Sequence, residues 1–259
     1  MMIIIGEKLN SSIPKTQQAM KQGDFESLKR LIEIQRQADY LDVNTAMCDN
    51  ELEVMEQVIE LIIKESDCGI MLDSTNTDVL CAMLPKIENR DVIINSVTLD
   101  ERLDAVSGFG GKCGIAALPI RSGEVFTDAE KRAENAFALI DKCMKCGFRE
   151  EDIYIDILAQ SVATDSTAAR VCLDTIRLIR KENKTVHLTC GLSNISYGLP
   201  GRSSVNSGFL ISAVTAGLDS AILDVSHPSI ISALHVANLL NGEDEYCMDY
   251  ISYFRSIED

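Results

Sequence analysis

Short apolar runs recur along the chain, and each ends in a polar side chain. The clearest is Ile70–Asn76 (IMLDSTN), where apolar residues are followed by a carboxylate, two hydroxyls and an amide. The pattern recurs at Tyr40–Thr45, Val92–Ser96, Tyr154–Leu158 and Ala221–Val225. Because the apolar residues are continuous and do not alternate with polar ones, each run predicts a short strand buried on both faces.

The polar residue of each run lies near its carboxyl end. In chain order these residues are Asp42, Asp73, Asn95, Asp156 and Asp224. A buried carboxylate or amide costs roughly 1–3 kcal/mol if it is left without a hydrogen-bond partner. Repetition at equivalent positions therefore predicts a polar floor where the strands converge, and this floor is the candidate binding site.

Helical patterns separate the strands. The predicted strands are residues 2–6, 40–45, 69–74, 92–97, 113–118, 153–158, 186–191 and 220–224. The predicted helices are residues 25–38, 51–65, 77–84, 100–106, 128–146, 167–181, 208–216 and 229–240, with Thr127 as N-cap of the longest and Pro228 in the first turn of the last. This alternation predicts a (β/α)₈ TIM barrel of the α/β class. An open doubly wound sheet shares the alternation, but polar strand ends favour the barrel.

The bulk properties limit the class of protein. No linker or change of composition divides the chain, so we expect one domain over residues 1–259, with 242–259 as an acidic, aromatic C-terminal tail. The net charge of −16 argues against non-specific binding to nucleic acid or to an anionic membrane. The sequence has no apolar run of membrane-spanning length and no signal-peptide pattern, so we expect a cytoplasmic protein.

Metal and redox chemistry are not favoured. Most of the 9 cysteines lie in apolar settings, and Cys143 and Cys146 form a single C-x-x-C pair inside a helical pattern. The acidic residues are scattered one per strand, without the histidine spacings typical of metal sites, so we expect no bound metal.

Nucleophilic catalysis is also weakly indicated. Ser193 lies in CGLSNIS, which lacks the G-x-S-x-G elbow. We expect His187 in the core and His235 in a structural position on a helix. His227 follows the last strand and is equally compatible with ligand contact and with a solvated loop. Arg202, in LPGRSS, is the candidate for binding an anionic group, although a solvated loop arginine fits as well.

The polar floor suits a flat, donor-rich heterocycle. A carboxylate offers two coplanar acceptors, which match adjacent N–H and NH₂ groups such as those of a pterin or guanine edge. An asparagine can serve a ring atom that changes between donor and acceptor. A divalent cation is the competing use of these carboxylates.

Six segments together resemble the pterin-binding methyltransferase family, whose members exchange a methyl group between a folate and a corrinoid. The segments are IIIGEKLN at Ile3–Asn10, LDVNT at Leu41–Thr45, LDSTN at Leu72–Asn76, IINS at Ile93–Ser96, YIDIL at Tyr154–Leu158 and GLSNIS at Gly191–Ser196. They occur in order and span essentially the whole chain. The resemblance implies a TIM barrel, usually a homodimer, that takes tetrahydrofolate or 5-methyltetrahydrofolate as substrate.

The same resemblance implies roles for individual residues. Asp73, Asn95 and Asp156 would bind the pyrimidine edge of the pterin, with Ser193 beside them. Asn194 would be the catalytic residue near N5, the atom that carries the methyl group. Supporting or substrate-facing residues would be Glu7, Asp42, Asn44, Ser96, Arg202 and Asp224. Because no strong acid is evident beside Asn194, we expect a hydrogen-bond network to serve N5.

The partner and the direction are further expectations. The chain lacks the corrinoid-binding pattern D-x-H-x-x-G, so the corrinoid is expected on a partner protein. Transfer from methylcorrinoid to tetrahydrofolate is the favoured direction, and the reverse transfer is the alternative. Two loops, Ala159–Gln160 and Tyr197–Pro200, depart from the family pattern and suggest a different corrinoid partner.

Two other functions stay open. A non-catalytic folate-binding protein could keep the floor and lack transfer. An enzyme like dihydropteroate synthase is less favoured, because its late lysine/arginine–histidine motif has no counterpart where Ser226–His227–Pro228 follows the last strand.

Overall fold

The computed structural model describes residues 2–87 and 89–258. Within these residues lie eight strands: β1 (Ile3–Asn10), β2 (Tyr40–Asn44), β3 (Gly69–Asp73), β4 (Val92–Thr98), β5 (Gly114–Leu118), β6 (Ile153–Asp156), β7 (His187–Thr189) and β8 (Ser220–Leu223). All pairs are parallel, in the order β7-β6-β5-β4-β3-β2-β1-β8. The Ile222 N–H donates to Cys190 O at 2.9 Å and closes the ring. The predicted (β/α)₈ barrel is confirmed.

Helices surround the barrel. Those in the described part of the chain are α1 (Pro14–Gln22), α2 (Phe25–Glu33), α3 (Glu51–Glu65), α4 (Thr77–Met83), α5 (Leu103–Val106), α6 (Ala129–Lys145), α7 (Ala168–Glu182), α8 (Arg202–Ala216), α9 (Pro228–Asn241) and α10 (Met248–Glu258). A helix long and apolar enough to span a membrane was not found in residues 2–87 and 89–258.

Several predicted boundaries were wrong. Strand β1 continues to Asn10, so Glu7 and Lys8 belong to the strand itself. The N-cap of α6 is Asp128, not Thr127, because the Asp128 carboxylate accepts the Lys131 N–H at 2.9 Å. Strand β6 ends at Asp156, and Leu158 adopts a left-handed φ of 57°.

Other helices also differ from the sequence prediction. Helix α1 was missed, α2 ends at Glu33 before reaching residue 38, and α8 begins at Arg202. The expected tail folds in part as α10, whose Tyr253 stacks on His235 of α9 at a ring-centroid distance of 4.2 Å. The assignment of residues 1–259 to one domain, with 242–259 as a tail, stays a prediction.

The inside of the barrel is divided into an apolar layer and a polar layer. Side chains of five strands form the apolar layer, which we call the plug: Ile5, Met71, Ile93, Ala116 and Tyr154. A separate and larger apolar cluster fills the space between the sheet and the helices. Side chains alternate across a strand, so the next inward-facing positions toward the carboxyl ends, such as Asp73 and Asn95, lie above the plug. The candidate site is thereby confined to the carboxyl end.

Candidate functional site

A cavity of about 840 Å³ opens at the carboxyl ends of the strands. Its walls contain every predicted site residue except Asn44: Glu7, Asp42, Asp73, Asn95, Ser96, Asp156, Ser193, Asn194, Arg202 and Asp224. Lys8, Asn10, Tyr197, Asn206 and His227 also line it. The predicted site residues Glu7 and Asp224, which are 217 positions apart in the sequence, therefore share one cavity.

Two acidic side chains form the deepest part of the floor. Asp42 is buried, and desolvation together with the nearby Asp73 charge raises its pKa well above the usual range. The Asn95 amide donates to Asp42 Oδ1 at 3.5 Å. Desolvation also raises the pKa of Asp73, although a hydrogen bond from Asn44 opposes the shift.

Asn44 supports the floor from outside the cavity wall. Its Nδ2 donates to Asp73 Oδ2 at 2.8 Å, and its Oδ1 accepts from Ser11 Oγ at 3.2 Å. The register pairs Asn44 with Asp73 and Asp73 with Asn95, so these three residues stand side by side on adjacent strands. Asn44 thus orients the carboxylate that faces the cavity. Ser96 follows Asn95 through a cis peptide bond and lines the wall.

Asp156 supplies a third carboxylate to the floor. Desolvation raises its pKa to about 6, against the opposing effects of the Leu158 N–H, which donates to Oδ1 at 2.7 Å, and of the Arg132 charge. A carboxylate held this way is a strong acceptor for a donor-rich ligand, because an additional hydrogen bond to the ionised form relieves its desolvation.

Arg132 is a supporting residue that the sequence reasoning missed. This buried side chain of α6 donates to Phe126 O at 2.6 Å, Ile157 O at 2.9 Å and Leu158 O at 3.0 Å. Its Nη2 also donates to Gln160 Oε1 at 2.9 Å. Arg132 therefore fixes the loop that follows Asp156. This loop includes Gln160, where the sequence departs from the family pattern. The sequence did contain a signal for this residue. Arg132 is three positions after Ala129 and four before Ala136, which places it on the apolar face of the helix.

A 3₁₀ turn over Leu192–Ser196 presents Ser193 and Asn194 to the cavity. The Asn194 amide lies against Gly191, where an added Cβ would come within 3.0 Å of Asn194 Nδ2. Arg202 holds the turn, since its Nη2 donates to Ser193 O at 2.6 Å and its Nε donates to Ser196 Oγ at 3.0 Å. The guanidinium expected to bind an anionic group thus also has a structural role.

Glu7 lies on the wall beside this turn. The Ser193 hydroxyl is 2.8 Å and 3.0 Å from its two carboxylate oxygens. Desolvation raises the pKa of Glu7, while the Ser193 hydrogen bond opposes the rise. A carboxyl group is thus hydrogen-bonded to Ser193, the residue next to Asn194, and this contact was not evident from the sequence.

An ion pair completes this side of the cavity. Lys8 Nζ lies 2.5 Å from Asp224 Oδ2. Desolvation favours a higher pKa for Asp224, but hydrogen bonds from Lys8 and Ser226 outweigh it and lower the pKa. The ionised form of Asp224 is therefore favoured, and it holds the Lys8 ammonium against the wall.

His187 and His227 occupy different settings. His187 lies at the amino end of β7, where it stacks on Tyr154 at 4.6 Å and contacts Asp219 at 2.9 Å. It is thus away from the floor, and it is half-buried instead of lying in the core as expected. His227 lines the cavity and its Nδ1 is 2.9 Å from Ser229 Oγ. Across residues 2–87 and 89–258, no three His, Cys, Asp or Glu side chains are grouped to hold a metal ion.

The closed barrel with a polar cavity at its carboxyl end defines the class of molecule as a TIM-barrel protein with its site on the loop-bearing face. Residues 23–224 match the family described as pterin binding enzyme. The chain belongs to this family and is an enzyme.

Two curated proteins are similar to the chain in sequence. The chain is 27% identical over 262 residues to a methylcorrinoid:tetrahydrofolate methyltransferase of Eubacterium limosum, covering 98% of this chain and 96% of that protein. It is 32% identical over 243 residues to methionine synthase of Mycobacterium tuberculosis, covering 86% of this chain and 20% of that protein. The chain therefore spans about a fifth of that longer enzyme.

The structural comparison concerns the fold. A dihydropteroate synthase of Coxiella burnetii, solved in complex with pteroic acid, superposes with a TM-score of 0.71. The two chains are 17% identical, and the match covers 93% of each. The likeness supports a shared barrel architecture.

Proposed function

We propose that this enzyme transfers a methyl group between a corrinoid carried by a partner protein and N5 of tetrahydrofolate. The observation that carries the proposal is that Asp73, Asn95, Asp156 and Asn194 line one cavity. Transfer from methylcorrinoid to tetrahydrofolate is the proposed direction. The Eubacterium limosum relative is named for that transfer, and its length matches this chain.

The floor would recognise the pterin through its donor-rich edge. Asp73 and Asp156 offer carboxylate acceptors to ring N–H and NH₂ groups, and Asn95 offers both a donor and an acceptor. Because these carboxylates are buried, they make few hydrogen bonds in the free protein. A ligand with complementary donors therefore gains the most binding free energy at such a site. Asp42 would not contact the pterin itself; it would accept a hydrogen bond from the Asn95 amide and so fix the orientation of that amide.

Asn194 would act at N5. In the proposed direction N5 attacks the methyl carbon, and the corrinoid substrate supplies the methyl group and keeps the electron pair of the broken bond. N5 then loses its proton. The Asn194 amide can accept a hydrogen bond from N5–H before transfer and donate one to N5 in the reverse reaction. A preorganised contact of this kind typically contributes about 10²–10³ in rate.

The mouth of the cavity would receive the partner. Tyr197 lies at this mouth and is 72% exposed. It begins the loop in which the sequence departs from the family pattern, which supports recognition of a particular corrinoid protein. A homodimer and a cytoplasmic location stay predictions.

Anaerobic visible spectroscopy tests the proposal. One cuvette holds methylcob(III)alamin with tetrahydrofolate, and the other holds cob(I)alamin with 5-methyltetrahydrofolate. We expect protein-dependent conversion in both, faster in the first, and a loss of about 10²-fold in Asn194→Ala. Lys181→Ala, on the exposed side of α7, is the matched control.

A second measurement distinguishes a methyltransferase from a non-catalytic folate-binding protein. Tetrahydrofolate binding by calorimetry should be largely retained in Asn194→Ala. Binding without conversion, with free cobalamin and with corrinoid proteins alike, would identify a non-catalytic folate-binding protein and contradict the proposal.

A further inference from the structure

The cavity contains a carboxyl group whose position suggests a role that pterin recognition does not require. Glu7 lies on β1, across the cavity wall from the turn that carries Asn194. The Ser193 hydroxyl contacts both of its oxygens, at 2.8 Å and 3.0 Å. The Ser193 hydroxyl therefore connects Glu7 to the turn that carries Asn194, and all three residues line the same cavity.

We propose that Glu7 exchanges the N5 proton through the Ser193 hydroxyl, with Asn194 orienting N5. The inference rests on the proposed function, because it concerns the atom that gains or loses the methyl group. Glu7 is in this scheme a positioning and proton-storing residue, since it acts through Ser193.

The step balances in both directions. When N5 attacks the methyl carbon, its lone pair forms the new N5–C bond, the electron pair of the broken methyl–corrinoid bond stays with the corrinoid substrate, and the N5 proton moves to Ser193 Oγ. Ser193 simultaneously passes its own hydroxyl proton to the Glu7 carboxylate. In reverse, protonated Glu7 donates to Ser193, Ser193 donates to N5, and the N5–C electron pair stays on N5 as the methyl group passes to the reduced corrinoid substrate, whose electron pair forms the new bond.

The surroundings of Glu7 suit a group that must change charge. Charged or polar groups face it from β1, β2, the 3₁₀ turn, α8 and the end of β8; they are Lys8, Asp42, Ser193, Arg202 and Asp224. The Lys8 charge is paired with Asp224, and Arg202 donates to the backbone of the turn. Neither cation is hydrogen-bonded to Glu7, so burial dominates and raises its pKa. A group that both accepts and donates a proton works best when its pKa is near the working pH.

Single-turnover kinetics at saturating folate test the inference. With methylcobalamin and tetrahydrofolate, we expect the wild-type rate constant to rise with pH as Glu7 ionises, and the reverse rate constant to fall. Glu7→Gln should reduce both by about 10²-fold or more and remove this pH dependence. Ser193→Ala should give the same result, and Ser193→Thr, which keeps the hydroxyl, should restore much of the rate. Glu130→Gln and Ser212→Ala, on exposed helix positions, are the controls.

An infrared measurement makes the test independent of methyl transfer. The carboxyl band that disappears in Glu7→Gln should titrate at a higher pH than an ordinary glutamate. It should shift when tetrahydrofolate binds to the wild type, and it should not shift in Ser193→Ala. An unchanged band on binding, or an unchanged pH profile in Glu7→Gln, would overturn the proton path.

The outcomes separate the two proposals. A band that responds to tetrahydrofolate in a protein without methyl transfer would support the contact of Glu7 and Ser193 with the bound folate and contradict the methyltransferase assignment. Transfer with an unaltered pH profile in Glu7→Gln would support the methyltransferase assignment and reject the path. Failure of the wild type to bind tetrahydrofolate would reject both.

Discussion

Gly191 lies so close to Asn194 that a Cβ on residue 191 would come within 3.0 Å of Asn194 Nδ2. The absence of a side chain at residue 191 therefore creates the space that the amide occupies. We predict that Gly191→Ala displaces the Asn194 amide by a few tenths of an ångström or more and lowers the methyl-transfer rate by about tenfold to 10²-fold.

Binding should be affected much less by this change, because Asp73, Asn95 and Asp156 are untouched. Tetrahydrofolate affinity by calorimetry, measured beside the single-turnover rate, checks this separation. Gly208→Ala, on α8 where an added Cβ meets no atom within 4 Å, is the control. An equal loss of affinity and rate in Gly191→Ala would show that the residue shapes the floor instead.

Asp156→Asn should weaken tetrahydrofolate binding by at least about tenfold. The substitution preserves the shape of the side chain but replaces a charged acceptor with a neutral amide. A charge-assisted hydrogen bond is lost, and the new NH₂ group would face the N–H and NH₂ groups of the pterin. Calorimetry checks this, with Asp165→Asn in the following loop as a control outside the cavity lining. Unchanged affinity in Asp156→Asn would contradict the pterin assignment of the floor.

The raised pKa of Asp156 predicts a pH-dependent stability difference. Burial raises this pKa to about 6, so the folded protein binds the proton more tightly than the unfolded chain does. The resulting stability is present at about pH 4 and is lost as the pH rises through about 6. Asp156→Asn cannot ionise, so relative to wild type it should gain stability between these pH values.

The gain in the free energy of unfolding should be about 2 kcal/mol. A pKa shift of about two units would give roughly 3 kcal/mol in a site without water, and the value is smaller here because the carboxyl group faces an open cavity. Urea unfolding of both proteins at pH 4 and pH 7 measures it. A difference that does not change with pH would show that solvent keeps the carboxyl near its ordinary pKa.

Arg132→Met should destabilise the protein by about 3 kcal/mol, because it leaves Ile157 O, Leu158 O and the Gln160 side chain without their buried donor. It should also weaken tetrahydrofolate binding, since the loop after Asp156 loses its anchor. Thermal unfolding and calorimetry measure the two effects. Arg170→Met, at an exposed position of α7, should change neither by a comparable amount.

The sequence predicted the barrel and its floor because both depend on local patterns. Continuous apolar runs that end in Asp or Asn predict buried strands with polar carboxyl ends, and parallel closure brings those ends together. Asp42, Asp73, Asn95 and Asp156 could therefore be assigned to one site before the structure was known.

The contacts between distant segments could not be predicted in this way. The hydrogen bond from Ser193 to Glu7 joins residues 186 positions apart, and the one from Arg132 to Gln160 joins residues 28 positions apart. Pairings of this kind depend on strand register and side-chain rotamers, which no periodicity encodes. For the same reason Glu7 was expected only as a supporting residue.

The plug of Ile5, Met71, Ile93, Ala116 and Tyr154 has a kinetic consequence. In the part of the chain that the structure describes, it fills the barrel beneath the floor, so a ligand seated on the floor enters and leaves through the mouth. A corrinoid protein docked at the mouth would close that route. Folate would then have to bind first and depart last, and excess partner protein would inhibit turnover by trapping the folate product inside the barrel.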